Sequence, residues 1–159
     1  MKTSCRFCSP DLKKDWIFEN RHFYALFDIH PVSPGHALVI SKKHVVSLFN
    51  LNQEQWQFLG SAICETVKVI EKTDFTDLYR LMAKKKLTDK SPYFCRKMLQ
   101  HVGVNRKPKS YNIGNNEGVV AGRTVHHLHV QIIPRYRGDV KNPIGGIRTI
   151  VPGLGDYKG

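Results

Sequence analysis

The sequence has no long apolar run: 41% of its 159 residues are hydrophobic, yet no run approaches the roughly 18 residues of a membrane-spanning helix. We therefore expect a soluble protein that does not cross a membrane. The first residues, Met1 to Cys5, also lack the apolar core of a secretory signal, which favours a cytoplasmic location. The length fits one domain, over residues 1–159, with a real hydrophobic core.

Acidic residues are scarce, with 13 Asp and Glu against 25 Lys and Arg, so the formal net charge is +12. This excess favours anionic partners, but it does not separate a nucleotide from a nucleic acid or a membrane surface. Cysteine is scarce as well. Four cysteines in a chain without a secretory signal predict thiols or metal ligands, not disulfides.

Two of the cysteines, Cys5 and Cys8, form a Cys-x-x-Cys pair. Such a pair serves zinc sites and redox motifs alike, but a redox motif is expected between the strand and helix of a βαβ unit, and no such unit follows. Zinc is therefore favoured, and it needs two more ligands. Eight histidines supply candidates, and spacing alone does not choose among them.

Polar and apolar residues alternate strictly from His127 to Ile133, which predicts a strand with one buried face. The side chains expected in the core are Leu128, Val130 and Ile132. Those expected on the other face, with neighbouring Cα atoms roughly 6.7 Å apart, are His127, His129 and Gln131. A single histidine on a half-exposed strand is ordinary, whereas two imidazoles and an amide on one face indicate chemistry.

The remaining pattern predicts an α+β fold with a five-stranded antiparallel sheet and one long helix packed on it. The predicted strands are 16–19, 22–28, 36–41, 111–118 and 127–133. Apolar residues at spacings of three and four predict the helix over 52–72, and Asn52 with Gln55 resembles a capping box at its start. Within this helix, Cys64 is expected to be a small core residue.

The histidine segment resembles the signature of the histidine-triad (HIT) family. It reads T-V-H-H-L-H-V-Q-I-I-P-R from Thr124 to Arg135 and follows N-N-E-G-V-V-A-G-R. Glycines, histidines and Pro-Arg fall in register with that signature, but Gln131 stands where most members have the third histidine. The motifs D-I-x-P and G-H-x-L-V-I-x-K-x-H match the same family. The resemblance implies a homodimer that shares one continuous sheet.

The resemblance also completes the metal site. Family members with an N-terminal Cys-x-x-Cys bind zinc through the histidine of the K-x-H step and the first histidine of the triad, which are His44 and His127 here. Zinc would be structural, because four protein ligands leave no open position. Chelation by His127 and His129 together is stereochemically possible, and only the resemblance argues against it.

A nucleotide substrate is implied as the partner. The residues implied to bind the nucleoside are Asp28, through the ribose hydroxyls, with Ile17, Leu26, Ile29 and His36. The residues implied near the phosphates are Asn116 and Thr124, with Arg123 in place of the usual Gln, and Arg148 in an irregular C-terminal extension at about 136–159. Among these, Asp28 asks for a polar partner on its own account, because it is an acid inside an apolar run.

The resemblance implies that His129 attacks the α-phosphorus and forms a nucleotidyl-histidine, as a neutral imidazole with a fixed tautomer can do. The variant with Gln131 resembles the nucleotidyltransferase and dinucleoside polyphosphate phosphorylase branch, and the acceptor, water or phosphate, stays open. One alternative is a basic nucleic-acid-binding protein whose catalytic strand has degenerated at Gln131. Another is a structural zinc module, which leaves His129 unexplained.

Residues 73–109, called the basic segment below, exceed the usual family link by very roughly two dozen residues. They carry many cations, including Lys84, Lys85 and Lys86, and Ser91-Pro92 predicts the start of a short helix. The simpler interpretation is a solvated insertion with a basic surface. The functional interpretation is a basic flap over a phosphate chain.

Overall fold

Five antiparallel strands form one sheet in the computed structural model, which describes residues 5–85 and 87–157. The strands are β1 (Phe18–Glu19), β2 (Phe23–Phe27), β3 (Ala37–Ser41), β4 (Ser110–Gly114) and β5 (His129–Arg135), in the order β1-β2-β3-β5-β4. The α-helices of these ranges are α1 (Gln53–Lys72), α2 (Phe75–Lys85) and α3 (Ser91–Leu99). The predicted α+β class and its five-stranded sheet are confirmed. No helix of the described ranges is long and apolar enough to span a membrane.

The sheet separates two apolar clusters. On one face, residues such as Ala25, Val39 and Val130 pack with the helices. On the other face lie Tyr24, Leu26, Leu38 and Ile40, which are covered by the N-terminal residues Phe7, Leu12 and Trp16. His129 pairs with Ile40 and Gln131 with Leu38, so both side chains join the second face. The alternation of β5 therefore places its apolar members in the main core and its polar members towards the N-terminal segment.

β5 begins at His129, two residues later than predicted. The amide of His127 donates to the carbonyl of Val125 at 2.9 Å, which makes a tight turn, and the amide of Leu128 donates to Val45 at 2.7 Å, outside the sheet. His127 thus precedes the strand, although its side chain is fully buried. Because His127 lies in this turn, the direction of its side chain is not set by the alternation of β5.

Helix α1 follows the predicted range closely. The Asn52 side chain accepts from the Gln55 amide and the Gln55 side chain accepts from the Asn52 amide, each at 2.9 Å, so the capping box is present. The expectation for Cys64 is wrong, because this thiol is exposed. The buried stripe runs through Leu59, Ala62, Thr66 and Ile70, and position 64 falls between its members.

The basic segment is more than a solvated insertion, because its helices α2 and α3 bury one face each. The buried side chains are Phe75, Tyr79, Met82, Cys95 and Met98. The Tyr79 hydroxyl accepts a hydrogen bond from the amide of Gly35 at 2.8 Å, at the turn before β3. The predicted helix after Ser91-Pro92 is present, whereas α2 was not predicted. Lys84 and Lys85 are exposed, and Lys86 lies outside the described residues.

Candidate active site and metal centre

Four side chains converge beside the start of β5, and their ligand atoms all lie within 4.8 Å of one another: Cys5, Cys8, His44 and His127. The His127 Nδ1 atom lies 3.3 Å from Cys5 Sγ and 3.4 Å from Cys8 Sγ. Cys8 Sγ lies 3.3 Å from His44 Nδ1. Ligands at about 2.0 to 2.3 Å from a tetrahedral zinc ion are roughly 3.6 Å apart. This donor set and spacing fit such an ion.

The second ring nitrogen of His127 is already engaged. Its Nε2 lies 2.7 Å from the carbonyl oxygen of Ser41, which can only accept, so Nε2 carries the proton and Nδ1 is left as a lone pair. Burial lowers the pKa of His127, which favours the neutral imidazole that a metal requires. The backbone of β3 therefore holds His127 in the tautomer that a metal ligand needs.

One ring nitrogen of His129 also contacts a backbone carbonyl oxygen, and this ring lines a cavity. Its Nδ1 lies 2.7 Å from the carbonyl oxygen of His127, so Nδ1–H donates and Nε2 keeps its lone pair. The side chain is 8% exposed and lines a cavity of about 590 Å³. The Phe7 ring packs against it, with ring centroids 5.3 Å apart. An imidazole oriented in this way at a cavity wall is able to act as a nucleophile through Nε2.

The cavity brings together most of the residues predicted for substrate binding and catalysis: Ile17, Leu26, Asp28, Ile29, Asn116, Thr124, His129 and Gln131. The apolar members and Asp28 come from β2 and the residues around it, and the other polar members come from β5 and the segment between β4 and β5. A cavity with an apolar side and a polar side is suited to a ligand with both characters.

His36 lies buried behind this cavity and does not line it. Its Nδ1 is 3.7 Å from an Asp28 carboxylate oxygen. Burial lowers the pKa of His36, while Asp28 and Gln131 oppose that shift. His36 therefore lies next to Asp28, which lines the cavity, and its contact with substrate stays a prediction.

Arg123 and Arg148, the two cations predicted near the phosphates, lie outside the cavity lining. The Arg123 guanidinium donates to Glu117 at 2.6 Å and to the Asn116 carbonyl at 3.2 Å, which holds the turn that carries Asn116. Arg148 is exposed and stacks over the Tyr157 ring at 5.4 Å. Neither side chain lines the cavity. The contacts of both with phosphate therefore stay predictions.

Sequence reasoning missed several cavity residues. The N-terminal segment contributes Arg6, Phe7, Lys14, Asp15 and Trp16, and the basic segment contributes Leu78, Met82, Lys85 and Leu87. Phe7 carried a signal, since it lies inside the Cys-x-x-Cys pair. The basic segment carried a signal for α2 as well, since Phe75, Leu78, Tyr79 and Met82 recur at helical spacing. Only the approach of this helix to the cavity depends on long-range packing.

Comparisons with known proteins agree with this geometry. The family model described as the HIT domain matches residues 9–138. An uncharacterised HIT-like protein of Methanocaldococcus jannaschii is 29% identical over 135 residues, 85% of this chain and 79% of that protein. The AP-4-A phosphorylase of Mycobacterium tuberculosis is 28% identical over 140 residues, 85% of this chain but 54% of that protein. The chain thus spans about half of that enzyme.

One of the similar solved structures contains zinc. It is a zinc-bound histidine triad family protein from Mycobacterium smegmatis, with a TM-score of 0.51 and 26% identity, and the match covers 86% of this chain and 78% of that one. The family model spans most of the chain and includes the whole histidine segment. This protein belongs to the HIT domain family.

Proposed function

We propose that this protein is a nucleotide-processing enzyme. Its substrate is a nucleoside 5′-phosphate derivative such as a dinucleoside polyphosphate, and the reaction passes through a nucleotidyl-histidine on His129. The observation that carries the proposal is the 2.7 Å contact from His129 Nδ1 to the His127 carbonyl oxygen, which leaves Nε2 as a nucleophile at the cavity wall.

The reaction has two displacements at the α-phosphorus. His129 Nε2 forms an N–P bond while the P–O bond to the rest of the phosphate chain breaks, and the chain leaves with the electron pair. An oxygen of water or phosphate then attacks the same phosphorus, loses a proton to solvent, and returns the electron pair to Nε2. Asn116 and Thr124 line the cavity with His129 and are suited to stabilise the equatorial oxygens.

Gln131 favours a leaving group that departs as an anion. Its amide donates hydrogen bonds but cannot transfer a proton as an imidazolium does. A polyphosphate leaves as a stable anion at neutral pH, whereas an amine needs a proton. We therefore favour dinucleoside polyphosphates over phosphoramidates as substrates. The similarity to an AP-4-A phosphorylase, whose length this chain half covers, supports the same class.

Zinc is the metal we propose for Cys5, Cys8, His44 and His127. The four ligands leave no open position, so zinc bound here supplies a structural cross-link and no activated water. The cross-link ties the N-terminal segment to the residue that orients His129. The zinc-bound relative supports this assignment.

Two copies are proposed to pair across the β4 edge of the sheet, which ends the strand order β1-β2-β3-β5-β4. Light scattering after size exclusion measures whether the protein is a dimer. A monomer at micromolar concentration contradicts this part of the proposal.

The activity is tested with purified, zinc-loaded protein and diadenosine tetraphosphate, with and without inorganic phosphate. Hydrolysis gives AMP and ATP, whereas phosphorolysis gives ADP and ATP, so chromatography of the products identifies the acceptor. Absence of both reactions would contradict the proposed function.

A further inference from the structure

The cavity has a wall built by the basic segment. Leu78 and Met82 of α2 line it, as does Leu87 just beyond the helix, and they join Ile17 and Ile29 from the sheet side. Met82 is 7% exposed and belongs to the main core, so the wall is continuous with the packed interior. Apolar side chains thus line this part of the cavity from both sides, and we call it the slot; apolar walls of this kind suit a planar aromatic base.

This wall is anchored to the loop that carries Asp28 and Ile29. The His30 Nε2 atom lies 3.2 Å from the Thr88 hydroxyl, and the rings of His30 and Phe94 meet edge to face at 5.1 Å. These contacts join α3 and the connection that precedes it to the sheet side of the cavity. The slot is therefore held from both sides, as a specific site requires.

A charged pair belongs to the same end of the cavity. Lys85 Nζ lies 3.8 Å from Asp15 Oδ1, and both residues line the cavity. Asp15 precedes Ile17 by two residues, and Lys85 follows Met82 by about one helical turn, so the pair borders the apolar slot. Its side chains are 28% and 61% exposed, and such a pair adds little to fold stability. It is therefore available to a ligand.

We propose that this slot is a base subsite that selects guanine, with the Asp15 and Lys85 side chains reading the base edge. The inference rests on the proposed nucleotide function and names its substrate class. Guanine presents the acceptor O6 beside the donors N1–H and N2–H, which match one ammonium and both oxygens of a carboxylate. Adenine offers one donor and one acceptor on that edge, so it forms one hydrogen bond fewer.

The test compares GMP with AMP by calorimetry, and diguanosine with diadenosine tetraphosphate by turnover, on zinc-loaded protein. We expect the wild type to favour guanine about tenfold, as one charged hydrogen bond allows. Asp15→Asn removes the second acceptor and should weaken GMP about tenfold while AMP changes less than about threefold. Asp77→Asn, an exposed acid on α2 that does not line the cavity, is the matched control.

The wall is tested separately with Leu78→Ala, which should weaken both nucleotides by about tenfold through lost apolar contact. Leu81→Ala is the control, because Leu81 is on the same helix, 58% exposed and outside the cavity lining. Equal affinity for GMP and AMP, binding of neither, or an equal loss of both in Asp15→Asn overturns the inference. Selective GMP binding that depends on Asp15 supports the inference even if no dinucleotide is turned over. Absence of turnover overturns only the proposed function.

Discussion

His129 Nδ1 lies 2.7 Å from the carbonyl oxygen of His127, whose own ring belongs to the cluster of Cys5, Cys8, His44 and His127. One residue therefore connects the two parts of the site. Its ring is held by Ser41 in the tautomer that a metal needs, and its carbonyl fixes the tautomer that a nucleophile needs.

His129→Ala should lower turnover of diadenosine tetraphosphate by about 10⁴-fold or more, because the attacking nitrogen is removed. Zinc content should stay unchanged. Labelled nucleotide trapped on the wild type should map to the peptide that contains His129. His126→Ala, an exposed neighbour, is the control and should keep full activity. Near-normal turnover in His129→Ala, or a label on another residue, contradicts the mechanism.

Cys5→Ser should lose zinc, which plasma mass spectrometry measures directly. Thermal unfolding should shift strongly downwards, because structural zinc binding contributes on the order of 10 kcal/mol. Cys64→Ser changes an exposed thiol away from the cluster and should retain one zinc ion. Stoichiometric zinc in Cys5→Ser would show that the metal has other ligands.

Gln131→His should supply the proton donor that this chain lacks. We expect the ratio of adenosine 5′-phosphoramidate hydrolysis to diadenosine tetraphosphate cleavage to rise at least about tenfold, because an amine leaves after protonation. The rise should be larger at pH 6 than at pH 8, where the imidazole is mostly neutral. An unchanged ratio would mean that Gln131 does not face the leaving group.

Asp139→Asn should destabilise the protein by about 1.5 to 3 kcal/mol at pH 7, as expected for hydrogen bonds to a charged group. Asp139 accepts from Arg135 at 2.7 and 3.0 Å, and these bonds hold its pKa below the ordinary 3.8. This stabilisation is complete above 3.8 and is lost as the pH falls through the lower folded-state value. The free energies of unfolding of the wild type and Asp139→Asn, measured by urea titration, should therefore converge at strongly acidic pH. A constant difference at all pH values contradicts this assignment.

The basic surface should not make this chain a duplex-binding protein. A protein that neutralises many phosphates loses affinity steeply with salt, with a log–log slope of about −0.9 per contact. We expect nucleotide binding to depend on salt only weakly. Duplex DNA or RNA bound with a slope of about −5 or steeper, together with no nucleotidyl chemistry, would favour the nucleic-acid alternative.

The sheet and the long helix were predictable because their signals are local. The alternation of β5, the capping pair Asn52 and Gln55, and the spacing of the apolar residues each depend on a few neighbouring positions. The prediction for Cys64 was wrong because consecutive residues of a helix point in different directions: Ile63 packs against the main core, whereas Cys64 is exposed. The assignment of His44 came from the resemblance and not from spacing, and the described cluster includes it.

The cavity was predictable on its sheet side only. Positions such as Asp28 and His129 lie in motifs that match the family, whereas Leu78 and Lys85 lie in the basic segment, where no motif guides the reading. The many cations of this segment suggested an exposed insertion, although Phe75, Tyr79 and Met82 of α2 have the spacing of one buried helical face. The burial of Tyr79 against the Gly35 turn is a long-range contact that a local pattern does not contain.

The basic segment is not a modular appendage. The Gly35 turn has a positive φ of 82° and leaves no room for a side chain, because an added Cβ would lie 2.5 Å from the Phe75 ring. The turn and helix α2 are thus fitted to each other at the level of single atoms. Removing α2 would uncover part of the main core, including the Phe27 ring on which Phe75 packs edge to face, so deletion of this segment is expected to destabilise the whole fold.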